Sequence, residues 1–116
     1  MTKLYLYLSG KITGNENYRA DFSAGREALE AAGFAVCSPV DLGLPEDVSW
    51  EAAMRADIRE MMLCDGVALL PGWEVSRGAC VEERLARDLG LPSKPVSAWI
   101  EGAGLTGCTE APVSGT

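Results

Sequence analysis

The chain has 116 residues, 47% of them hydrophobic and 23% charged, and a formal net charge of −7. That length suits one domain with one core, and the negative charge disfavours binding a nucleic-acid polymer through its phosphates. Histidine is absent, which excludes Ser-His and Cys-His nucleophile pairs and histidine metal sites, leaving carboxylates, hydroxyls, tyrosines, lysine or backbone dipoles for any chemistry.

The run "KLYLYLSG" (Lys3 to Gly10) is apolar and aromatic and ends in glycine, which predicts a short buried strand. "KITGNENY" is loop chemistry. Tyr18, Phe22, Gly25, Leu29 and Ala32 then recur at helical spacing, and Gly33 stops that helix. "FAVCSPV" predicts a second strand closed by Pro39, and "DLGLPED" a loop. Ser49 predicts an N-cap with Glu51 in the first turn, and Trp50, Met54, Ile58, Met61 and Met62 form the apolar stripe of a second helix. "GVALL" (Gly66 to Leu70) predicts a third strand, a helix from Gly78 to Leu89 follows, and "KPVSAWI" (Lys94 to Ile100) predicts a fourth strand. Residues 101–116, rich in Gly, Thr and Ser, read as a loose tail behind a domain spanning residues 1–100.

Strands alternating with helices imply right-handed βαβ units. The expected fold is α/β, a Rossmann/flavodoxin-like open parallel sheet of four to five strands with helices on both faces. In such sheets ligands bind outside the carboxyl ends of the strands. Three loops leave those ends, carrying "SGKITG" (Ser9–Gly14), "SPVDLGLPED" (Ser38–Asp47) and "PGWEVSRGA" (Pro71–Ala79). No apolar run approaches a membrane span and the N-terminus lacks a signal-peptide pattern, so a cytoplasmic protein without membrane contact is expected. Cys37, Cys64, Cys80 and Cys108 have neither zinc nor CxxC spacing, and no metal or cofactor is expected. The first three read as small core residues.

Glu82 stands out. Advancing roughly 100° per residue from Val81 puts Leu85, Leu89 and Ala86 within about 140° of one another, and Glu82 falls inside that apolar sector. Glu83 falls on the opposite side with Arg84, Arg87 and Asp88. A carboxylate on a buried face is either satisfied by a neighbouring donor or the helix dipole, or held in a cleft for chemistry. Asp57 lies at the edge of the preceding stripe, open to reading as a solvent-facing boundary residue or a site residue. Tyr7 lies on the first strand, on the same face as Tyr5. "SRGA" opens a helix with a serine hydroxyl and free N–H groups, an anion site or a simple cap by Ser76 or Gly78.

Together "YLSGKITG", "ADIREMMLCDGVALL" and "SRGACVEERLARDLG" resemble the nucleoside 2-deoxyribosyltransferase superfamily, including the 2-deoxynucleoside 5-monophosphate N-glycosidases and a phage-type domain of unknown function close to both. The resemblance runs from about Lys3 to Ile100. It implies that Tyr7, Asp57 and Glu82 form the catalytic site. Glu82 would be the nucleophile at C1′ of a deoxyribosyl group, Asp57 would assist proton transfer to the base, and Tyr7 would hold Glu82. Substrate contacts would come from Ser9, Gly10, Lys11, Ile12, Ser76, Gly78 and Ala79. Where the nucleoside transferases carry an acidic residue two before the motif glycine, this chain has Ser76. A serine hydroxyl beside a helix N-terminus suits a 5′-phosphate, so the implied substrate is a nucleotide.

The resulting expectation is an enzyme that hydrolyses or transfers the N-glycosidic bond of a (deoxy)nucleoside 5-monophosphate. A non-catalytic nucleotide-binding protein that captures a nucleotide or signalling molecule is the alternative, and a cytokinin-type phosphoribohydrolase ranks below both. The resemblance also implies a homodimer or larger homo-oligomer whose partner completes each site, with Ser97 or the tail as donor. Trp73 and Trp99, at the ends of short strands, are expected to be uncovered in a monomer and to favour such an interface.

Overall fold

Period-two alternation along the first strand divides the molecule into two cores. The computed structural model describes residues 3–108. In chain order the elements are β1 (Tyr5–Ser9), α1 (Tyr18–Ala31), β2 (Ala35–Cys37), α2 (Trp50–Met61), β3 (Gly66–Leu69), α3 (Arg77–Asp88), β4 (Ser93–Pro95) and α4 (Val96–Cys108), with 3₁₀ turns at Pro39–Leu42 and Trp73–Val75. All four strands are parallel, in the order β2-β1-β3-β4. On β1, Leu6 and Leu8 pack with Phe22, Leu29, Phe34 and Trp99 in the core shared with α1 and α4. Tyr7 faces the other way, packing with Met61, Cys64, Val67, Leu69 and Ala86 beneath α2 and α3. Fully burying a leucine of this kind stabilises the fold by about 1.5–3 kcal/mol.

Local chemistry sets the element ends. Ser49 Oγ accepts the Ala52 N–H at 3.1 Å and Ser76 Oγ accepts the Ala79 N–H at 3.1 Å, so both helices on the Tyr7 side start at serine caps. Gly33 follows α1 with φ +101°, a conformation that suits glycine. A Cβ on Gly78 would lie 3.1 Å from Met54 Sδ, so the glycine lets the start of α3 approach α2 closely.

Three expectations are corrected. The fourth strand ends at Pro95, and Val96 onward is helical. Proline has no N–H to extend the ladder, and a short apolar run such as "PVSAWI" fits a buried helix as well as a strand. The helix therefore crosses the expected domain end at residue 100, and the part of the expected tail beyond Cys108 lies outside the described residues. Trp99 is covered rather than exposed: it is 7% accessible, donates through Nε1 to the Val67 carbonyl at 2.8 Å, and meets Phe34 edge-on with ring centroids 5.8 Å apart. Finally, the buried face of α3 is centred on Ala79, Glu82 and Ala86, leaving Val81 40% and Leu89 59% exposed. Small residues let the helix sit close to the sheet, and the larger Val81 and Leu89 are displaced to its flank. Cys64 is buried, whereas Cys37 and Cys80 are half-buried. Among the described residues, no helix is long and apolar enough to cross a membrane.

Candidate active site

Tyr7 and Ser9 are two residues apart on β1, so both side chains project to the face covered by α2 and α3. Glu82, in the second turn of α3, reaches down to meet them. Tyr7 Oη donates to Glu82 Oε2 at 3.0 Å, and Ser9 Oγ donates to Oε1 at 2.7 Å. Glu82 is 4% exposed, and Tyr7 and Ser9 are fully buried. The carboxylate is thus held by two hydroxyls from the central part of the sheet.

Glu82 also forms part of the wall of a cavity of about 500 Å³. Gly10, Ile12 and Thr13 line it from the loop after β1, and Pro39 from the end of β2. Trp50, Ala53, Met54 and Asp57 line it from α2, and Val75 to Ala79 from the approach to α3. The strand order places β1 beside β3 while the chain passes through β2 between them, so the cavity sits where the strand order reverses.

Asp57 is 9% exposed, and its Oδ1 has no hydrogen-bond partner among the described residues. Burial pushes its carboxyl up to about 6. Glu82 is pushed up to about 7, chiefly by burial and further by the nearby Asp57 carboxylate, while the hydrogen bonds from Ser9 and Tyr7 pull it down. Burial and the adjoining Glu82 carboxylate together raise the Tyr7 phenol well above its ordinary value, so it stays a proton donor. Raised in this way, both carboxyl groups titrate near neutral pH and are able to take up or give up a proton there.

Of the expected residues, Asp57, Glu82, Gly10, Ile12, Ser76, Gly78 and Ala79 meet in this cavity. Tyr7 stands behind Glu82. Ser9, expected to touch a ligand, is instead bonded to Glu82 and does not line the cavity, and Lys11 lies outside it. The Ala79 N–H is already taken by the Ser76 cap, which leaves the first-turn N–H groups of Arg77 and Gly78 without intrahelical acceptors. Ser97, considered as a donor across a subunit boundary, sits exposed in the first turn of α4, away from this cavity.

Trp50 and Arg77 are among the cavity-wall side chains that the sequence did not announce. The Arg77 guanidinium lies 3.8 Å from the centroid of the Trp50 ring, and both line the cavity. Arg77 is the one lysine or arginine among the described lining residues. Its placement was a usable signal, because a cation at a helix N-terminus opposes the helix dipole and needs another partner. Among the described residues, no group of three or more His, Cys, Asp or Glu side chains clusters as a metal site.

The family described as "Domain of unknown function (DUF4406)" matches residues 4–94. Among curated proteins none matches the sequence. Among solved structures, the 2-deoxyribosyltransferase of the psychrotolerant bacterium Bacillus psychrosaccharolyticus, described as a biocatalyst for synthesis of nucleosides, is similar with a TM-score of 0.61. The two are 22% identical, over 77% of this chain and 69% of that one. The likeness is one of fold, and it agrees with the parallel α/β architecture expected from the sequence.

Proposed function

We propose that this chain, which belongs to the DUF4406 family, cleaves or exchanges the N-glycosidic bond of a (deoxy)nucleoside 5′-monophosphate with Glu82 as nucleophile. The observation that carries this reading is the buried Glu82 carboxylate, fixed by Tyr7 and Ser9 at the wall of a cavity that Asp57 also lines. The fold shared with a 2-deoxyribosyltransferase supports sugar transfer between bases as the chemistry.

Departure of a base leaves positive charge at C1′ of the sugar. A carboxylate beside that carbon stabilises the charge and then bonds to it, as in retaining glycosidases. Developing positive charge favours the anion at Glu82, while Asp57, buried and with no hydrogen-bond partner for Oδ1 among the described residues, favours its protonated form. Asp57 then protonates the leaving base. Water, or a second base, then attacks C1′ and gives its proton to the Asp57 carboxylate as the bond to Glu82 breaks. The Ser76 hydroxyl, the first-turn N–H groups and the Arg77 guanidinium would hold the 5′-phosphate.

Release of free base from deoxynucleoside monophosphates, followed by chromatography, tests the reading. Glu82→Ala is expected to reduce release by about three orders of magnitude or more, whereas Glu83→Ala stays close to wild type, since Glu83 pairs with Arg87 at 2.9 Å and does not line the cavity. Equal activity in both variants sinks the nucleophile assignment. Tight nucleotide binding without any release would favour the capture protein instead.

A further inference from the structure

We infer that Ser9 is the positioning residue that favours the anionic form of Glu82 against its burial and aims the carboxylate into the cavity. The inference rests on the use of Glu82 as nucleophile proposed above. A serine hydroxyl has one proton to give, and Ser9 gives it to Glu82 Oε1 at 2.7 Å, the shorter of the two bonds to this carboxylate. Ser9 is fully buried and does not line the cavity, so it acts on the reaction through Glu82.

Its backbone is firmly placed. It pairs with Leu69 in the β1–β3 ladder, and its carbonyl accepts the Leu70 N–H at 2.8 Å. The side chain has a single heavy-atom torsion, and the bond to Oε1 selects one rotamer of it, so the donor is fixed relative to the sheet. Tyr7 holds the second oxygen, and two anchors from one strand set the plane of the carboxylate. The other groups facing Glu82 do not supply this. Asp57, from α2, opposes the anion. Val67 and Leu69 of β3 are apolar. On α3 itself, Glu83 is bound to Arg87, and Arg77 stacks on Trp50.

The test compares wild type with Ser9→Ala, Ser9→Thr and Tyr7→Phe, using two readouts. Carbon-13 NMR of labelled glutamate side chains follows Glu82 titration without substrate, and the pH–rate profile of base release follows its use. Ser9→Ala is expected to move the Glu82 titration up by about one unit, which at low pH is about a tenfold loss of rate. KM stays near wild type, and the rate recovers on the alkaline side. Ser9→Thr, which keeps the hydroxyl, restores the wild-type profile, and Tyr7→Phe shifts it the same way as Ser9→Ala. If Ser9→Ala does not fold, Ser9→Cys, a weaker donor of similar size, must show a smaller shift in the same direction. An unchanged Glu82 titration in a folded Ser9→Ala or Ser9→Cys variant overturns the inference. So does a raised KM with an unmoved pH profile. A titration that shifts while wild type releases no base supports the role of Ser9 and sinks the proposed activity, so the two claims fail separately.

Discussion

Glu82 makes the native state hold a proton that the unfolded chain gives up. Its carboxyl titrates at about 7 in the fold against an ordinary 4.5. Being raised, this group contributes stability that is complete below its unfolded value and is lost as pH rises through about 7. Asp57 acts in the same direction, from 3.8 to about 6. Between about pH 5 and pH 8, urea denaturation of wild type should therefore show a loss larger than that of Glu82→Gln by about 1–3 kcal/mol. Parallel stability curves for the two proteins would show that Glu82 ionises freely. The suspicion about Glu82 was legible in sequence because helical projection alone put it in the apolar sector. Its partners were legible only in part: a family resemblance pointed to Tyr7, but nothing local in "YLSG" says that Ser9 donates to a glutamate 73 positions away.

The start of α3 combines a cap, a cation and the cavity wall within four residues. Aspartate is as good a cap as serine, so Ser76→Asp should preserve the helix while setting a negative charge against a phosphate. Calorimetry should show a monophosphate weakened far more than the matching nucleoside, and equal wild-type affinity for the two would remove the phosphate site. Arg77→Ala should weaken the monophosphate by about tenfold to a hundredfold, the scale of a lost charge-assisted hydrogen bond, again sparing the nucleoside. Helix starts were readable here because Ser49 and Ser76 announce themselves by type. The passage from β4 to α4 was not, since "KPVSAWI" has no polar alternation and Trp99 finds its partners, Phe34 and the Val67 carbonyl, only through tertiary contact.

At the scale of the whole molecule, the alternation of apolar runs and helical stripes was sufficient for the parallel sheet and for the edge at which the cavity opens. Strand order does not follow from composition, and the β2-β1-β3-β4 arrangement is what brings β1 and α3 together. Assembly remains our proposal. Its support shifts from Trp99, which is buried, to the exposed stripe of Val81 and Leu89, two turns apart on the flank of α3. A helix-mediated homodimer covering this stripe should appear in light scattering, and Leu89→Glu should convert it to monomer without loss of helical signal. A wild-type monomer at working concentration would contradict the proposal.

Both outer strands, β2 and β4, are three residues long. β4 carries Lys94, whose ammonium lies 4.1 Å from the centroid of the Trp99 ring, and ends in Pro95, and Pro39 follows two residues after β2. Short edges with lysine and proline offer a poor template for an incoming strand. Edge-to-edge pairing of folded copies is therefore disfavoured at both margins. Aggregation of this protein should begin from unfolded chains, and its onset on heating should track the unfolding transition rather than precede it.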